Sequence, residues 1–214
     1  MGKGLFITAE GTDGCGKTTQ IKLMKDYLES RGLEVVLARE PGGTAIGEKI
    51  RTIILDRGNA EMCALAEMLL YAAARAQLVS EVIKPAIFAG KTVICDRFVD
   101  SSYAYQGFGR GIDMDTVANV NMAAVDGMMP DMTFFFDVSP GMALARREAS
   151  TGMDRIEKES MDFHTRVHLG YKKLASLYPG RIKAIDGARS VEAISEEVRG
   201  HLDKLMEKIR RVGK

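Results

Sequence analysis

The sequence has few cysteines, almost no net charge and no long apolar run, and each of these shortages excludes a class of protein. The three cysteines (Cys15, Cys63 and Cys95) are an odd number without the spacing of a metal site, which indicates reduced structural thiols in a cytoplasmic protein. The 30 basic and 29 acidic side chains leave a formal net charge of +1, so no overall field favours nucleic acid or a membrane as a partner. No apolar stretch approaches the roughly 20 residues of a membrane span, and Glu10 interrupts the N-terminal segment too early for a signal peptide.

The order of the apolar segments predicts the fold. A length of 214 residues suits one domain, residues 1–214, and no repeat, low-complexity tract or linker divides it. Short β-rich runs predict strands at 4–9, 34–38, 91–95, 132–138 and 181–185. Longer stretches predict helices at 17–30, 46–55, 60–88, 113–125, 140–149, 160–177 and 191–211, with Pro85 expected to kink or break the third. This alternation indicates a three-layer α/β fold in which helices flank a five-stranded parallel sheet.

A phosphate-binding loop follows the first predicted strand. Residues 11–18, GTDGCGKT, fit the pattern G-x-x-x-x-G-K-[ST] and lie between a strand and a helix, where the mechanism needs them. The glycines let consecutive backbone N–H groups turn toward an anion, and the helix N-terminus adds its positive end. Lys17 is expected to reach the β- and γ-phosphates and to act in catalysis, while the Thr18 hydroxyl would ligate Mg²⁺. The predicted ATP contacts in this loop are Gly11, Thr12, Asp13, Gly14, Cys15, Gly16, Lys17, Thr18 and Thr19.

Missing motifs narrow the class of phosphate-loop protein. A GTPase would need a base-reading N-K-x-D segment, which the sequence lacks, and a large ATPase would need a longer chain. A compact kinase for a small substrate fits best. At the end of the third predicted strand, Asp96 is placed to hold Mg²⁺ through water, and Arg97 to point a bidentate donor at the phosphate of an acceptor.

Seven short segments together resemble the thymidylate kinase family. They follow the order seen in that family: residues 10–14 (EGTDG), 39–44 (REPGGT), 70–75 (LYAAAR), 96–98 (DRF), 104–107 (AYQG), 137–140 (DVSP) and 154–157 (DRIE). The resemblance runs from about residue 5 to residue 192, and it includes base-pocket segments that adenylate and guanylate kinases do not share. It implies a P-loop nucleoside monophosphate kinase fold and a homodimer. It also implies transfer of the γ-phosphate of MgATP to dTMP, giving ADP and dTDP for dTTP synthesis and DNA replication.

The resemblance also implies which residues hold the nucleoside of dTMP. Tyr71 is similar to the aromatic residue that stacks on thymine, and Arg75, one helical turn further on, to the arginine that donates to a thymine carbonyl. Ser102 resembles the polar contact to the base, Tyr105 the residue packed under the sugar, and Gln106 a ribose or base contact. The structural alternatives are a core aromatic residue at Tyr71 and a solvated helix face at Arg75.

Four charged residues complete the implied acceptor set. Asp13 resembles the carboxylate near the 3′-hydroxyl of the acceptor and the metal, and we count it as catalytic together with Arg97. Glu40 and Arg51 resemble substrate-side contacts of the bacterial members of the family, with surface charge as the structural alternative.

A polar segment at about 146–157, RREASTGMDRIE, has the composition of a mobile lid that closes over ATP and excludes water. Some family members carry an arginine inside the phosphate loop, where this chain has Gly14, so the chain resembles the bacterial type with lid arginines. The candidates in the lid are Arg146, Arg147 and Arg155. We favour Arg155, and after it Arg147, as the catalytic arginine.

Two further features lie outside the transfer site. Arg189, after the fifth predicted strand, resembles a residue of the adenine-side loop and is placed to stack on adenine by its planar face. Met122, Met128, Met129 and Met132 are predicted to form a dimer seam, the alternative being a large core.

Two other functions fit parts of the sequence. One is a kinase for another small nucleotide or a nucleoside, although a nucleoside acceptor would need a base near its 5′-hydroxyl and the two expected arginines favour a phosphate instead. The other is a nucleotide-binding module without turnover, against which the acceptor set and the lid argue. ADP formation that requires an acceptor would separate these functions.

Overall fold

The computed structural model describes residues 4–148 and 153–212, and its centre is a sheet of five strands. The strands are β1 (Phe6–Glu10), β2 (Val35–Arg39), β3 (Thr92–Asp96), β4 (Met132–Asp137) and β5 (Ile182–Asp186). They lie in the order β2-β3-β1-β4-β5, and every neighbouring pair is parallel. The predicted strands and the five-stranded parallel sheet are therefore confirmed, with strand ends displaced by no more than two residues.

Helices cover both faces of this sheet. They are α1 (Lys17–Ser30), α2 (Ala45–Leu55), α3 (Ala64–Leu78), α4 (Lys84–Phe88), α5 (Val99–Ser102), α6 (Met114–Val125), α7 (Pro140–Glu148), α8 (Met161–Leu177) and α9 (Val191–Val212). The first of them has the predicted bounds, because a glycine in the left-handed region ends the phosphate loop directly before it. Among the described residues, none of the helices has the length and apolar character that crossing a membrane requires.

The sequence of strand β4 is apolar without alternation because both faces of the strand are buried. Phe134 and Phe136 pack in a core cluster with Ile194 of α9, on the face that α1 and α9 cover. Phe135 points to the other face, where its ring stacks on Tyr171 of α8 with the ring centroids 5.1 Å apart. All three phenylalanines are therefore buried, as expected for a parallel sheet that is covered on both sides.

The long helical region predicted at 60–88 is interrupted by a π turn shortly before Pro85. A 3₁₀ turn precedes α3, and a π turn at Val79–Ile83 joins α3 to α4. In this turn the Lys84 N–H donates to the Val79 carbonyl five residues back. Pro85 has no N–H to donate, and the wider turn accommodates it at the start of α4.

Residues 99–109 form a helical unit to which the sequence patterns assign no element. The short helix α5 continues into a π turn at Tyr103–Gly109. This unit packs closely on α8, since a Cβ atom at Gly170 would lie 2.7 Å from the Phe108 ring. The π turn breaks the period of 3.6 residues, so the apolar pattern of an ordinary helix is absent from the sequence.

The methionines predicted to form a dimer seam divide into two groups. Met128 and Met132 are 5% and 6% exposed and belong to the core, so the prediction is wrong for these two. Met132 opens β4 and Met128 follows α6 closely, which turns both side chains inward. Met122 and Met129 are 57% and 39% exposed in the chain.

Candidate active site

The phosphate loop links the carboxyl end of β1 to the first turn of α1. Three of its glycines have positive φ angles, and Gly14 is the one with the least room. A Cβ atom there would lie 2.1 Å from the backbone oxygen of Ala143 in α7. In this arrangement the loop has no space for a side chain at Gly14, so a catalytic arginine would have to come from elsewhere.

Lys17 is buried beneath the loop rather than extended into solvent. Its ammonium nitrogen donates to the carbonyl oxygens of Gly11 and Thr12, both at 3.1 Å, and lies 3.8 Å from a carboxylate oxygen of Asp13. These are weak acceptors compared with a phosphate oxygen. The lysine is therefore positioned to exchange its loop carbonyls for a bound nucleotide.

Arg97 lies directly after β3 and has a φ angle of +66°, which is uncommon for a residue with a side chain. Its Nη2 donates to Asp13 at 2.9 Å, and its guanidinium lies over the Tyr105 ring, 5.2 Å from the ring centroid. Burial alone would lower the pKa of Arg97, but the charge of Asp13, together with Tyr105, Tyr171 and Asp96, outweighs burial and holds the pKa well above its ordinary value. Lys17 and Arg97 thus approach the same carboxylate from two sides.

A cavity of about 280 Å³ opens beside this cluster of charges. The structure brings eight of the nine residues predicted to bind the acceptor to its wall; Arg75 is the ninth. The eight are Asp13, Glu40, Arg51, Tyr71, Arg97, Ser102, Tyr105 and Gln106. Residues that the sequence analysis missed at the wall are Pro41, Leu55, Ser101, Asp154, Ile156 and Glu157. Aromatic, aliphatic and polar groups therefore meet in one concave site, as a small polar ligand requires.

Arg75 is 1% exposed and lies behind the cavity wall. Its N–H groups are taken up by Glu40, by the Ser102 hydroxyl at 2.9 Å, by the Phe98 carbonyl at 3.1 Å and by Asn121. The predicted contact with a thymine carbonyl would require one of these bonds to be exchanged, and it stays a prediction. The structure adds Asn121 to this cluster; its only trace in the sequence is a polar side chain within an apolar helix.

Two tyrosine hydroxyls of the cavity stay uncharged. Tyr71 and Tyr105 line the wall, and burial raises the pKa of both phenols well above the ordinary value. Arg97, lying over Tyr105, only partly opposes this effect. Both rings therefore offer neutral faces to a ligand, and a stacked base or a packed sugar is compatible with that chemistry.

Arg51 and Glu40 line the cavity from the segment around α2. The Nη1 of Arg51 donates to the Pro41 carbonyl at 3.0 Å, and burial lowers the pKa of Arg51. Burial raises the pKa of Glu40, while its bidentate contact with Arg75 opposes that shift. Neither side chain is the plain surface charge that the sequence left as an alternative.

Glu67 is a buried carboxylate that the sequence analysis missed. It accepts from Gln106 at 3.0 Å, from Arg110 at 2.9 Å and from Arg155 at 2.7 Å. Burial would raise the pKa of Glu67, but the hydrogen bonds from Arg110, Gln106 and Arg155 and the charge of Arg110 together outweigh burial and lower the pKa. The only signal in the sequence was a carboxylate on a helix whose other residues, apart from Arg75 and Gln77, are apolar or aromatic.

The predicted lid arginines are placed in different surroundings. Arg155 is held by Glu67 and by the Ile54 carbonyl at 2.8 Å, away from the cavity wall, so its predicted contact with the transferred phosphate stays a prediction. Arg146 donates to the Gly187 carbonyl at 3.2 Å. Residues 149–152 and the side chain of Arg147 lie outside the described part of the chain. Beyond the lid, the guanidinium of Arg189 pairs with Glu197 and Asp186.

Thr18 and Asp96, the predicted metal ligands, line a common groove next to the carboxyl end of β2. The Oδ1 atom of Asp96 is buried and has no hydrogen-bond partner among the described residues. A hydroxyl and a carboxylate are oxygen donors of the kind Mg²⁺ prefers. No group of three or more His, Cys, Asp or Glu residues suited to a metal occurs in the part of the chain that is described.

Glu10, the last residue of β1, is fully buried beside the site. The Phe98 N–H donates to its Oε1 atom at 2.8 Å. The hydroxyls of Ser101 and Tyr171 donate to Oε2 at 2.6 and 2.9 Å. Burial, assisted by the charge of Asp100, raises the pKa of Glu10 to about 7. No role for Glu10 is predicted from the sequence.

The cavity of about 280 Å³ opens beside the phosphate loop, and Arg97 lies on its wall next to Asp13 of that loop. This arrangement, on the parallel sheet described above, places the chain in the class of P-loop nucleoside monophosphate kinases. A family model described as thymidylate kinase matches residues 9–198. The chain belongs to the thymidylate kinase family.

Individual relatives agree with that assignment. The chain is 49% identical to a thymidylate kinase of Gloeobacter violaceus over 201 residues, 93% of this chain and 94% of the relative. It is 45% identical to a thymidylate kinase of an Exiguobacterium species over 210 residues, 98% of each chain. The crystal structure of thymidylate kinase from Ehrlichia chaffeensis superposes with a TM-score of 0.75 at 36% identity, covering 94% of this chain and 99% of that one.

Proposed function

We propose that the chain transfers the γ-phosphate of MgATP to dTMP, giving ADP and dTDP for dTTP synthesis. The observation that carries this proposal is the meeting of two cations at Asp13, Lys17 from the ATP loop and Arg97 from the acceptor cavity. The acceptor phosphate would lie at this point, in line with the γ-phosphate of ATP.

Catalysis would come from alignment and charge rather than from a base. The acceptor phosphate has a second pKa of about 6, so it is mostly a dianion at neutral pH and needs no proton removed. Two polyanions must be brought together, and Lys17, Arg97 and the loop N–H groups are the groups that offset their charge. Asp13 orients Arg97 before the acceptor arrives.

Mg²⁺ would be held by the Thr18 hydroxyl and, through water, by Asp96. When bound, the ion neutralises charge on the β- and γ-phosphate oxygens. The unpartnered Oδ1 atom of Asp96 supports this position.

The nucleoside half of dTMP would fill the rest of the cavity. Tyr71 would stack on thymine, Tyr105 would pack under the sugar, and Gln106 would contact the ribose or the base. The Ser102 hydroxyl lies at the wall and on Arg75, so it would link the base to that guanidinium. Glu40 and Arg51 would complete the wall on the substrate side.

A lid over ATP would exclude water, as the polar composition of 146–157 suggests. Asp154, Ile156 and Glu157 already line the acceptor cavity, which supports closure of this segment over the site. Arg155 or Arg147 would meet the transferred phosphate, and Arg189 would stack on adenine after leaving its carboxylate partners. The whole would act as one domain.

A coupled ADP-release assay tests the function. MgATP would be combined separately with dTMP, dUMP, AMP, CMP, GMP and thymidine. We expect strong preference for dTMP, with dUMP within about 10–200-fold because one methyl group contributes only 1–3 kcal/mol in an apolar pocket. Turnover of a different monophosphate or of thymidine would indicate another small-molecule kinase. ATP binding without turnover of any acceptor would indicate a binding module.

We also propose that the chain is a cytoplasmic homodimer. Leu65 and Leu69 of α3 are about half exposed, as are Met122 of α6 and Ile53 of α2. Neighbouring exposed apolar side chains of this size favour a partner surface over water. Free thiols at Cys15, Cys63 and Cys95 fit a reducing compartment.

A further inference from the structure

Glu10 is a buried carboxylate that the proposed transfer does not use. It does not line the acceptor cavity, and no ligand of the reaction would touch it. Its hydrogen-bond donors are a backbone N–H and two hydroxyls, with no cation among them. Since burying a carboxylate is costly unless it is well bonded, its position next to the site calls for a physical reason.

The first reason is the backbone at Arg97. A left-handed conformation is unfavourable for a residue with a side chain and persists only when the surroundings fix it. Here the N–H of Arg97 donates to the Ala9 carbonyl at 2.9 Å, and the next N–H, that of Phe98, donates to Glu10 Oε1 at 2.8 Å. Both ends of the strained residue are therefore held by β1, one of them through Glu10.

The second reason is the side chain of Arg97. Its Nη1 atom lies 3.4 Å from the hydroxyl oxygens of both Ser101 and Tyr171. Those oxygens also lie 2.6 and 2.9 Å from Glu10 Oε2. A hydroxyl has one hydrogen, and a carboxylate only accepts. The two hydroxyl oxygens also lie 2.8 Å from each other. A hydroxyl that directs its one hydrogen at Glu10 presents only lone pairs to the guanidinium and to the other hydroxyl.

We propose that Glu10 is a positioning residue for Arg97, holding the backbone turn and the two hydroxyls that aim the guanidinium at the acceptor phosphate. This inference rests on the proposed function. It places the control of acceptor recognition in the strand that also carries the phosphate loop, so one element fixes the groups on both sides of the transferred phosphoryl group.

The test compares dTMP with thymidine, which lacks the phosphate. Binding of each to the full chain is measured by calorimetry at pH 8 for the wild type and for Glu10→Gln, which keeps the shape but lets an amide donate to the hydroxyls. We expect dTMP affinity to fall roughly tenfold or more, the effect of disturbing a charge-assisted contact, while thymidine affinity stays within about twofold. Glu10→Gln should add less than about twofold to the loss of dTMP turnover in an Arg97→Ala background, because the two changes act through one group.

Asp100→Asn is the matched control, since Asp100 is equally buried but holds Arg181 instead of Arg97. It should leave the ratio of dTMP to thymidine affinity unchanged. Should Glu10→Gln not fold, Tyr171→Phe carries the same test, because it removes one of the two hydroxyls and predicts a smaller loss in the same ratio. The inference would be overturned if dTMP and thymidine lost affinity equally, or if neither lost affinity. It would also be overturned if the losses of dTMP turnover caused by Glu10→Gln and by Arg97→Ala multiplied fully in the double variant. If the wild type did not turn over dTMP, the proposed function would be overturned, and this inference with it.

Discussion

Arg97 and Asp13 meet at 2.9 Å between the phosphate loop and the acceptor cavity, and this contact fixes the orientation of the guanidinium. Preorganised charge of this kind is effective because no reorganisation is needed during the reaction. Two predictions belong to the scale of single residues: one concerns Arg97 itself and the other Glu10, the buried carboxylate proposed to position it.

Two replacements of Arg97 distinguish the contribution of its positive charge from that of its planar pair of donors. We expect Arg97→Ala to lower kcat/KM for dTMP by about 10²–10³-fold, as when one donor to a developing charge is removed. Arg97→Lys should recover only part of this, because lysine keeps the charge but not the planar pair of donors. ADP release with dTMP varied, and then with ATP varied, measures both effects. A change confined to the KM for ATP would contradict the assignment.

Glu10 should make stability depend on pH in a predictable direction. Its pKa is raised from 4.5 to about 7 in the folded chain, so between these values the unfolded chain has lost its proton while the folded chain keeps it. Ionisation of the unfolded chain then favours unfolding, and the free energy of unfolding falls as pH rises through this window. Glu10→Gln lacks the effect, so the wild type should lose roughly 3 kcal/mol relative to the variant between pH 4.5 and 8. Urea denaturation of both proteins measures it, and a difference independent of pH would refute it.

At the scale of elements, the segment 153–157 is joined to α3 through Glu67. Arg110 and Arg155 share this carboxylate, and Arg155 also bonds the carbonyl of Ile54 in α2. The segment that follows residues 149–152 is therefore anchored on the helices that frame the acceptor cavity. Gln106 is a third hydrogen-bond partner of Glu67. A ligand that contacts Gln106 in the cavity would therefore alter the hydrogen bonds by which Glu67 holds Arg155.

The anchor can be measured by a double-mutant cycle. Glu67→Ala removes the carboxylate partner of the buried Arg155 and one of the two carboxylate partners of the half-buried Arg110, and we expect a loss of about 3–5 kcal/mol in unfolding free energy. Arg155→Ala should cost less alone and almost nothing further in the Glu67→Ala background. Chemical denaturation of the four proteins gives the coupling. Additive losses would show that Arg155 acts independently of Glu67.

Sequence patterns determine some elements better than others. The phosphate loop and the bounds of α1 follow from local chemistry, because glycines end a strand and begin a helix at fixed positions. Eight acceptor residues could be predicted from the family resemblance and converge on one cavity. The roles of Glu10 and Glu67 could not be predicted, since their donors come from segments distant along the chain. The helical unit at 99–109 could not be predicted either, because its π turn lacks the ordinary helical period of 3.6 residues.

At the scale of the whole molecule, the exposed apolar faces of α2, α3 and α6 bear on the homodimer. Two copies of a 23.4 kDa chain would have a mass of 2 × 23.4 = 46.8 kDa. We expect light scattering at micromolar concentration to give this mass for the wild type and about half of it for Leu69→Glu. Leu177→Glu, at an equally exposed site near the end of α8, is the control and should stay dimeric. A wild-type mass near that of one chain would contradict the dimer.

The contact between Gly14 and the backbone of Ala143 limits how this chain could change its source of positive charge. An arginine grafted at position 14 would meet a carbonyl oxygen of α7, which no rotamer can avoid because the conflict begins at Cβ. The helix that leads into the lid would have to shift first, and only then could the loop accept a side chain. A change from a catalytic arginine in the proposed lid to one in the phosphate loop therefore requires the lid to be rebuilt before the loop. A single substitution at position 14 would not produce a working site.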